Sequence, residues 1–197
     1  MNNYYSPPEI YYSRWLTPLL QQAIEESDVL VLTGARQVGK STLLRNETPF
    51  RDWRFLSMDD FDVLRQANQQ PEALWAGTDR IILDEVQKAP DLLAAVKQVV
   101  DRAPGKIKFV FSGSANLLLM RQVSESLAGR AIYFVLDPLT VGEINQTAPP
   151  QLVKNVLAGD WPVEGEIVER PPDPTQLMQR GLMPALLKLN SAPTWVR

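Results

Sequence analysis

The stretch "DVLVLTGARQVGKSTLLRN", residues 28–46, runs from an apolar segment through two glycines into Lys40, Ser41 and Thr42. Gly34, Gly39, Lys40 and Ser41 stand in the spacing G-x-x-x-x-G-K-[ST] of a phosphate-binding loop, the Walker A pattern. Glycines at these places let successive backbone N–H groups turn inward, and the helix that follows offers its positive end to an anion. Lys40 is expected to reach the β- and γ-phosphates and Ser41 to take a place on Mg2+. The whole loop, Gly34, Ala35, Arg36, Gln37, Val38, Gly39, Lys40, Ser41 and Thr42, is therefore the expected nucleotide-binding segment. Its context agrees, since "DVLVLT" reads as a strand and "KSTLLRN" opens a helix. Three outcomes stay open from the loop alone: a nucleotide held for hydrolysis, a nucleotide held for transfer, or an ordinary turn that holds nothing.

Working outward, apolar runs of strand length recur at residues 28–33, 53–58, 80–85, 106–113 and 131–136. Most are continuous instead of alternating, which is how strands buried on both faces read. Between them lie helical spacings. In "DLLAAVKQVVDRA", Leu92, Leu93, Val96, Val99, Val100 and Ala103 share one face, with Asp91 favourably placed in the first turn. Strands alternating with helices predict an α/β fold with a parallel sheet covered on both faces. Composition then shifts: half of the 16 prolines fall in the last 49 residues. Proline removes a backbone donor, so a Pro-rich tail of short helices and linker is expected over 146–197, after a core over 1–145 that includes an N-terminal helix.

The chain has 197 residues, no cysteine and no histidine. Ser-His-Asp and Cys-His chemistry, haem ligation and Cys/His zinc sites are thereby excluded, and a catalytic base must be Asp, Glu, Lys or Tyr. A net charge of -3 supplies no global attraction to nucleic acid. No apolar run approaches the roughly 20 residues of a membrane helix, and the first residues are neither basic nor apolar enough for a secretory signal. A cytoplasmic protein with no membrane partner is the expectation.

Further motifs narrow the chemistry. "RIILDE" ends an apolar strand in Asp84 and Glu85. A carboxylate there, beside the loop, suits the Walker B role of holding Mg2+, and Glu85 is placed to orient or deprotonate an attacking water. "KIKFVFSGSANLLL" carries Ser112, Ser114 and Asn116 to the same sheet edge, as phosphate sensors or as helix caps; Ser114 is the expected nucleotide contact. In "SESLAGRAIYFVL", Arg130 has three readings: charge stabilisation in cis, a finger toward a neighbouring subunit, or an ion pair with an acid such as Glu143. Arg36 is a separate candidate for sensing phosphate or meeting a partner. The N-terminal tyrosines, four of the chain's five, either stack a base or edge an amphipathic segment that packs Trp15, Leu16, Leu19, Leu20 and Ile24 against the sheet.

Taken together, "LTGARQVGKSTLL", "IILDEVQKAPDLLAAVK", "FVFSGSANLLLM", "ESLAGRAIYFVLDPLTVGE" and "RGLMPALLK" make the chain resemble the bacterial and archaeal P-loop ATP-binding proteins of the AAA+ superfamily. The resemblance covers residues 12–145 strongly and 176–190 weakly. It implies a P-loop NTPase fold of the AAA+ (ASCE) type: five strands, mainly parallel, with the sensor strand between the P-loop and Walker B strands. It also implies ATP and Mg2+, with Asp84, Glu85 and Lys40 in the roles already argued; with the motif readings above, the candidate catalytic residues are Lys40, Glu85 and Arg130 and the candidate metal ligands Ser41 and Asp84. Members of that group are usually much longer, so a C-terminal domain is expected where this chain stops, and Arg180 replaces the first glycine of a Gly-Gly-x-Pro motif. ATP hydrolysis as a conformational switch leads. Its alternatives are a nucleotide-binding module that needs a homo-oligomer or protein partner, and a small-molecule kinase with only Arg121 and Arg130 in its lid.

Overall fold

The computed structural model describes residues 10–114, 127–149 and 181–187. Strand β1 (Val29–Gly34) is buried at every position, as a continuous apolar run must be when both its faces are covered. It lies with β2 (Arg54–Ser57), β3 (Arg80–Asp84), β4 (Lys108–Ser112) and β5 (Ala131–Leu136) in one sheet ordered β2-β3-β4-β1-β5. Every neighbouring pair is parallel. All five expected strands form, and β4 lies between β1 and β3, the order that the resemblance implied. The central strands β3, β4 and β1 are the most buried, while the edge strands are partly open because each has a neighbour on one side only.

Side chains alternate across each strand, so the sheet divides its core in two. Val29, Val31, Ile81, Leu83, Phe109 and Phe111 form one core cluster with Leu92, Leu93, Val96 and Val100 of α4 (Leu92–Arg102). Trp75 meets Phe109 edge-to-face, ring centroids 5.4 Å apart. The apolar face read from the sequence is thus the face α4 buries. The alternate residues Leu30, Leu32, Ile82 and Val110 are equally buried on the other side. There α1 (Thr17–Glu26) contributes Leu20, Ala23 and Ile24, and α2 (Lys40–Asn46) contributes Leu43 and Leu44. A further helix, α3 (Phe61–Gln69), is capped by Asp60, whose carboxylate accepts from the Asp62 and Val63 amides.

One N-terminal expectation needs correction. Leu19 is 54% exposed, because it points away from the stripe formed by Leu20, Ala23 and Ile24. The partners found for Trp15 lie near the chain's later part: its indole donates to the Thr147 carbonyl at 2.9 Å and its ring lies over Gly142, where a Cβ would meet it at 2.3 Å. Of the N-terminal tyrosines, Tyr11 donates to Glu47 at 2.8 Å, while Tyr4 and Tyr5 lie outside the described residues.

Contacts divide the chain into two compact units, residues 1–11 with 16–137 and residues 12–15 with 138–197. The division falls after Asp137, ahead of the boundary expected at 145, and Tyr12–Trp15 groups with the second unit. Within that second unit Glu143 is the knot. Its carboxylate accepts from Arg14 Nε (3.2 Å), from the Trp15 amide (2.7 Å) and from the Thr140 amide (2.8 Å), while Thr140 Oγ1 accepts the Glu143 amide in a capping box. A carboxylate this buried is tolerable because each oxygen is paired. After Gly181, Pro184–Leu187 forms one helical turn; Arg180 and most of the Pro-rich tail lie outside the described residues.

Candidate functional site

The site grows from the carboxyl end of the sheet. β1 ends at Gly34, level with Leu136 of β5, and the chain loops through Ala35, Arg36 and Gln37, all exposed, before Val38 turns back into the core. Gln37 and Gly39 take positive φ, 63° and 102°, and Gly39 caps α2 without a side chain. The first turn of α2 carries Lys40, Ser41 and Thr42.

Lys40 is 6% exposed and donates to the carbonyls of Gly34 (3.0 Å) and Ala35 (2.9 Å). An ammonium has three donors, so one remains for an anion in the loop. Burial pushes its pKa below the ordinary 10.5, and the charges of Glu85 and Asp84 push back. The folded state therefore binds this proton less tightly than the unfolded chain does. The charge costs stability at neutral pH, a cost relieved as pH rises toward 10.5. In Lys40→Met the ATP Kd is expected to rise by about tenfold to a hundredfold, the loss of charge-assisted hydrogen bonds to phosphate. Its stability relative to wild type should fall as pH climbs from neutral toward 10.5, measured by denaturant unfolding.

β3 ends in Asp84, 5% exposed, paired in register with Ser112 of β4. Ser41 Oγ donates to Asp84 Oδ2 at 2.7 Å, and Ser112 Oγ donates to Asp84 Oδ1. Two hydroxyl donors satisfy the buried carboxylate from two separate elements. With its hydrogen given to Asp84, Ser41 Oγ keeps lone pairs for a cation. Hydroxyl and carboxylate oxygens suit Mg2+, which takes few protein ligands and completes its shell with water and phosphate. Among the described residues no group of three or more acidic side chains converges, so a cage built of protein alone is not offered there.

Glu85 follows in the left-handed region, φ 55°, at the start of the 3-10 turn Val86–Lys88. Its carboxylate accepts from Gln87 Nε2, which also reaches Ser114 Oγ at 3.3 Å. The structure thus brings Lys40, Ser41, Asp84, Glu85, Ser112 and Ser114 to one sheet edge. Asn116 lies outside the described residues, and with it the question of a helix cap there. Gln87 was missed by sequence reasoning. Its only signal was its place two residues after Glu85.

A protein-family model described as an AAA domain matches residues 26–145, more than half the chain. The chain belongs to this AAA family. Among curated proteins, the uncharacterized protein Rv2008c of Mycobacterium tuberculosis and the uncharacterized protein Mb2031c of Mycobacterium bovis are each 35% identical over 137 residues. The match covers 68% of this chain, and the chain spans 30% of the length of those relatives. Among solved structures, the Walker-type ATPase PabY2304 of Pyrococcus abyssi superposes with a TM-score of 0.50 at 18% identity. That likeness covers 85% of this chain and 63% of the other, and it shows the fold alone.

In this AAA domain Arg130 does not stand where a role in cis requires. It precedes Ala131, the register partner of Val29, so it lies at the amino edge of the sheet while the loop follows Gly34 at the carboxyl edge. Six strand residues, roughly 20 Å, separate the two edges. The Glu143 carboxylate is held by Arg14. Arg130 pairs with Asp101, bonding Oδ1 through Nε and Oδ2 through Nη2 at 3.2 Å, with both side chains more than a third exposed. Screened pairs of this kind contribute little. In Arg130→Ala the denaturant midpoint is expected to shift by under about 1 kcal/mol of stability.

Proposed function

We propose that this AAA domain binds ATP and hydrolyses it in a Mg2+-dependent reaction that serves as a conformational switch. The observation that carries the reading is the convergence of Ser41 Oγ on Asp84 Oδ2 beside Lys40 and Glu85 at the mouth of one loop. The loop amides and Lys40 cradle the phosphates, while Ser41 and Asp84 hold the cation, which neutralises phosphate charge when bound. Glu85 orients a water and accepts its proton as the oxygen attacks the γ-phosphorus. The bond to the bridging oxygen breaks, and its electron pair leaves on ADP. Positioning and electrostatics supply the catalysis, which needs neither histidine nor cysteine.

The test is phosphate release by purified protein with ATP, with and without Mg2+. Release in both conditions, or in neither, overturns the reading.

The far-edge position of Arg130 favours a second reading as well: turnover stays low until a homo-oligomer or protein partner supplies an arginine in trans. Activity per molecule would then rise with protein concentration and fall in Arg130→Ala while ATP binding persists. A flat concentration profile excludes self-assembly as the source. Transfer to a small molecule has no support among the described residues.

A further inference from the structure

We propose that Gln87 is a positioning residue for hydrolysis: its side-chain amide orients the Glu85 carboxylate and ties it to Ser114 at the end of β4. The proposal rests on the hydrolytic reading above. It begins with the backbone. Residues two apart on a regular helix do not face each other, but Glu85 is left-handed (φ 55°) and the chain then enters a 3-10 turn, which brings the two side chains together. Gln87 is the only hydrogen-bond partner of the Glu85 carboxylate among the described residues.

The amide's orientation follows from charge. Turned over, Gln87 Oε1 would face a carboxylate oxygen, two acceptors with no proton between them, so the NH2 group must be the side that meets Glu85. From there the same nitrogen reaches Ser114 Oγ at 3.3 Å. The pose has a cost: Gln87 Oε1 is buried without a hydrogen-bond partner among the described residues. A packing role alone would not favour leaving that acceptor unpaired. The two N–H contacts hold the amide where it is.

The chemical consequence concerns Glu85 and the phosphate together. Ser114 accepts from Gln87 and so keeps its hydroxyl hydrogen for an acceptor such as a phosphate oxygen. A hydroxyl that donates becomes a better acceptor, so an anion on Ser114 strengthens its pull on the Gln87 amide. Glu85 and Ser114, from two different strand ends, are thereby set by one side chain. Without it the carboxylate loses its only described partner and samples other rotamers. Misplacement of a catalytic group by about 1 Å can cost on the order of a hundredfold in rate.

The experiment compares wild type, Gln87→Met and Glu85→Ala, methionine keeping the volume of Gln87 without its amide. In Gln87→Met, kcat for phosphate release is expected to fall by about tenfold to a hundredfold, with the ATP Kd changed by less than about twofold. A side chain that only supported the loop would move both together. The independent arm is the side-chain amide resonance of Gln87 in the intact chain, identified by its loss in Gln87→Met and expected to shift upfield in Glu85→Ala as its charged acceptor disappears. Unchanged kcat, or an affinity loss equal to the kcat loss, overturns the proposal, as does an amide resonance indifferent to Glu85→Ala. Wild-type protein that binds ATP without releasing phosphate overturns the hydrolytic reading with it, and the wild-type rate alone recognises that case.

Discussion

In Glu85→Gln, phosphate release from ATP is expected to fall about a thousandfold while the ATP Kd stays near that of wild type. Glutamine keeps the shape of the side chain and its place after β3 but cannot accept the proton of the attacking water. A thousandfold loss corresponds to ~4 kcal/mol of barrier, within what a positioned base supplies. Affinity should survive because the groups proposed to hold the nucleotide are others: the loop amides, Lys40 with its one remaining donor, and the Ser41–Asp84 pair. The measurements are steady-state phosphate release and equilibrium binding of the same preparations. Turnover equal to wild type would remove Glu85 from the chemistry and leave the water without its proposed base just after β3.

The second large effect concerns the backbone that carries the loop. In Gly34→Ala the chain is expected to lose about 3 kcal/mol or more of stability, and nucleotide binding with it. Gly34 has φ 150°, and a Cβ there would lie 2.3 Å from the Leu136 carbonyl oxygen, its register partner on β5. That neighbour is backbone in a parallel ladder and cannot rotate aside as a side chain would. Relief would require β1 and β5 to separate where the loop begins. Gly105→Ala is the control: φ is +75° and a Cβ would have nothing within 4 Å, so only conformational strain of about 1 kcal/mol remains. Urea midpoints of the two variants separate steric exclusion from strain. Equal midpoints would show that Gly34 is needed for its φ and not for its lack of a side chain.

Much of the fold was legible because its signals are local. Continuous apolar runs mark strands covered on both faces, and the run at 28–33 became β1, buried at every residue. The Leu92, Leu93, Val96 and Val100 spacing placed one face of α4 on the sheet for the same reason. Leu19 was misread because a single amphipathic stretch can be apolar on more sides than it buries. Polar residues were harder still. "ILDE" announced two carboxylates, but nothing local said that Ser41 and Ser112 would satisfy both oxygens of Asp84.

Arg130 and Gln87 show where the division falls. A residue's order along the chain says that Arg130 precedes a buried strand, but only parallel pairing says which edge of the sheet that strand begins on. Gln87 stands two places from Glu85 in any reading, yet the pair meets only because Glu85 is left-handed in the folded chain. The sequence by itself determined the strands, the phosphate loop and the acids that answer it, since these depend on periodicity and on short spacings. The tertiary structure decided which polar groups share an edge, because hydrogen bonds between residues 27 to 43 positions apart depend on strand order and register.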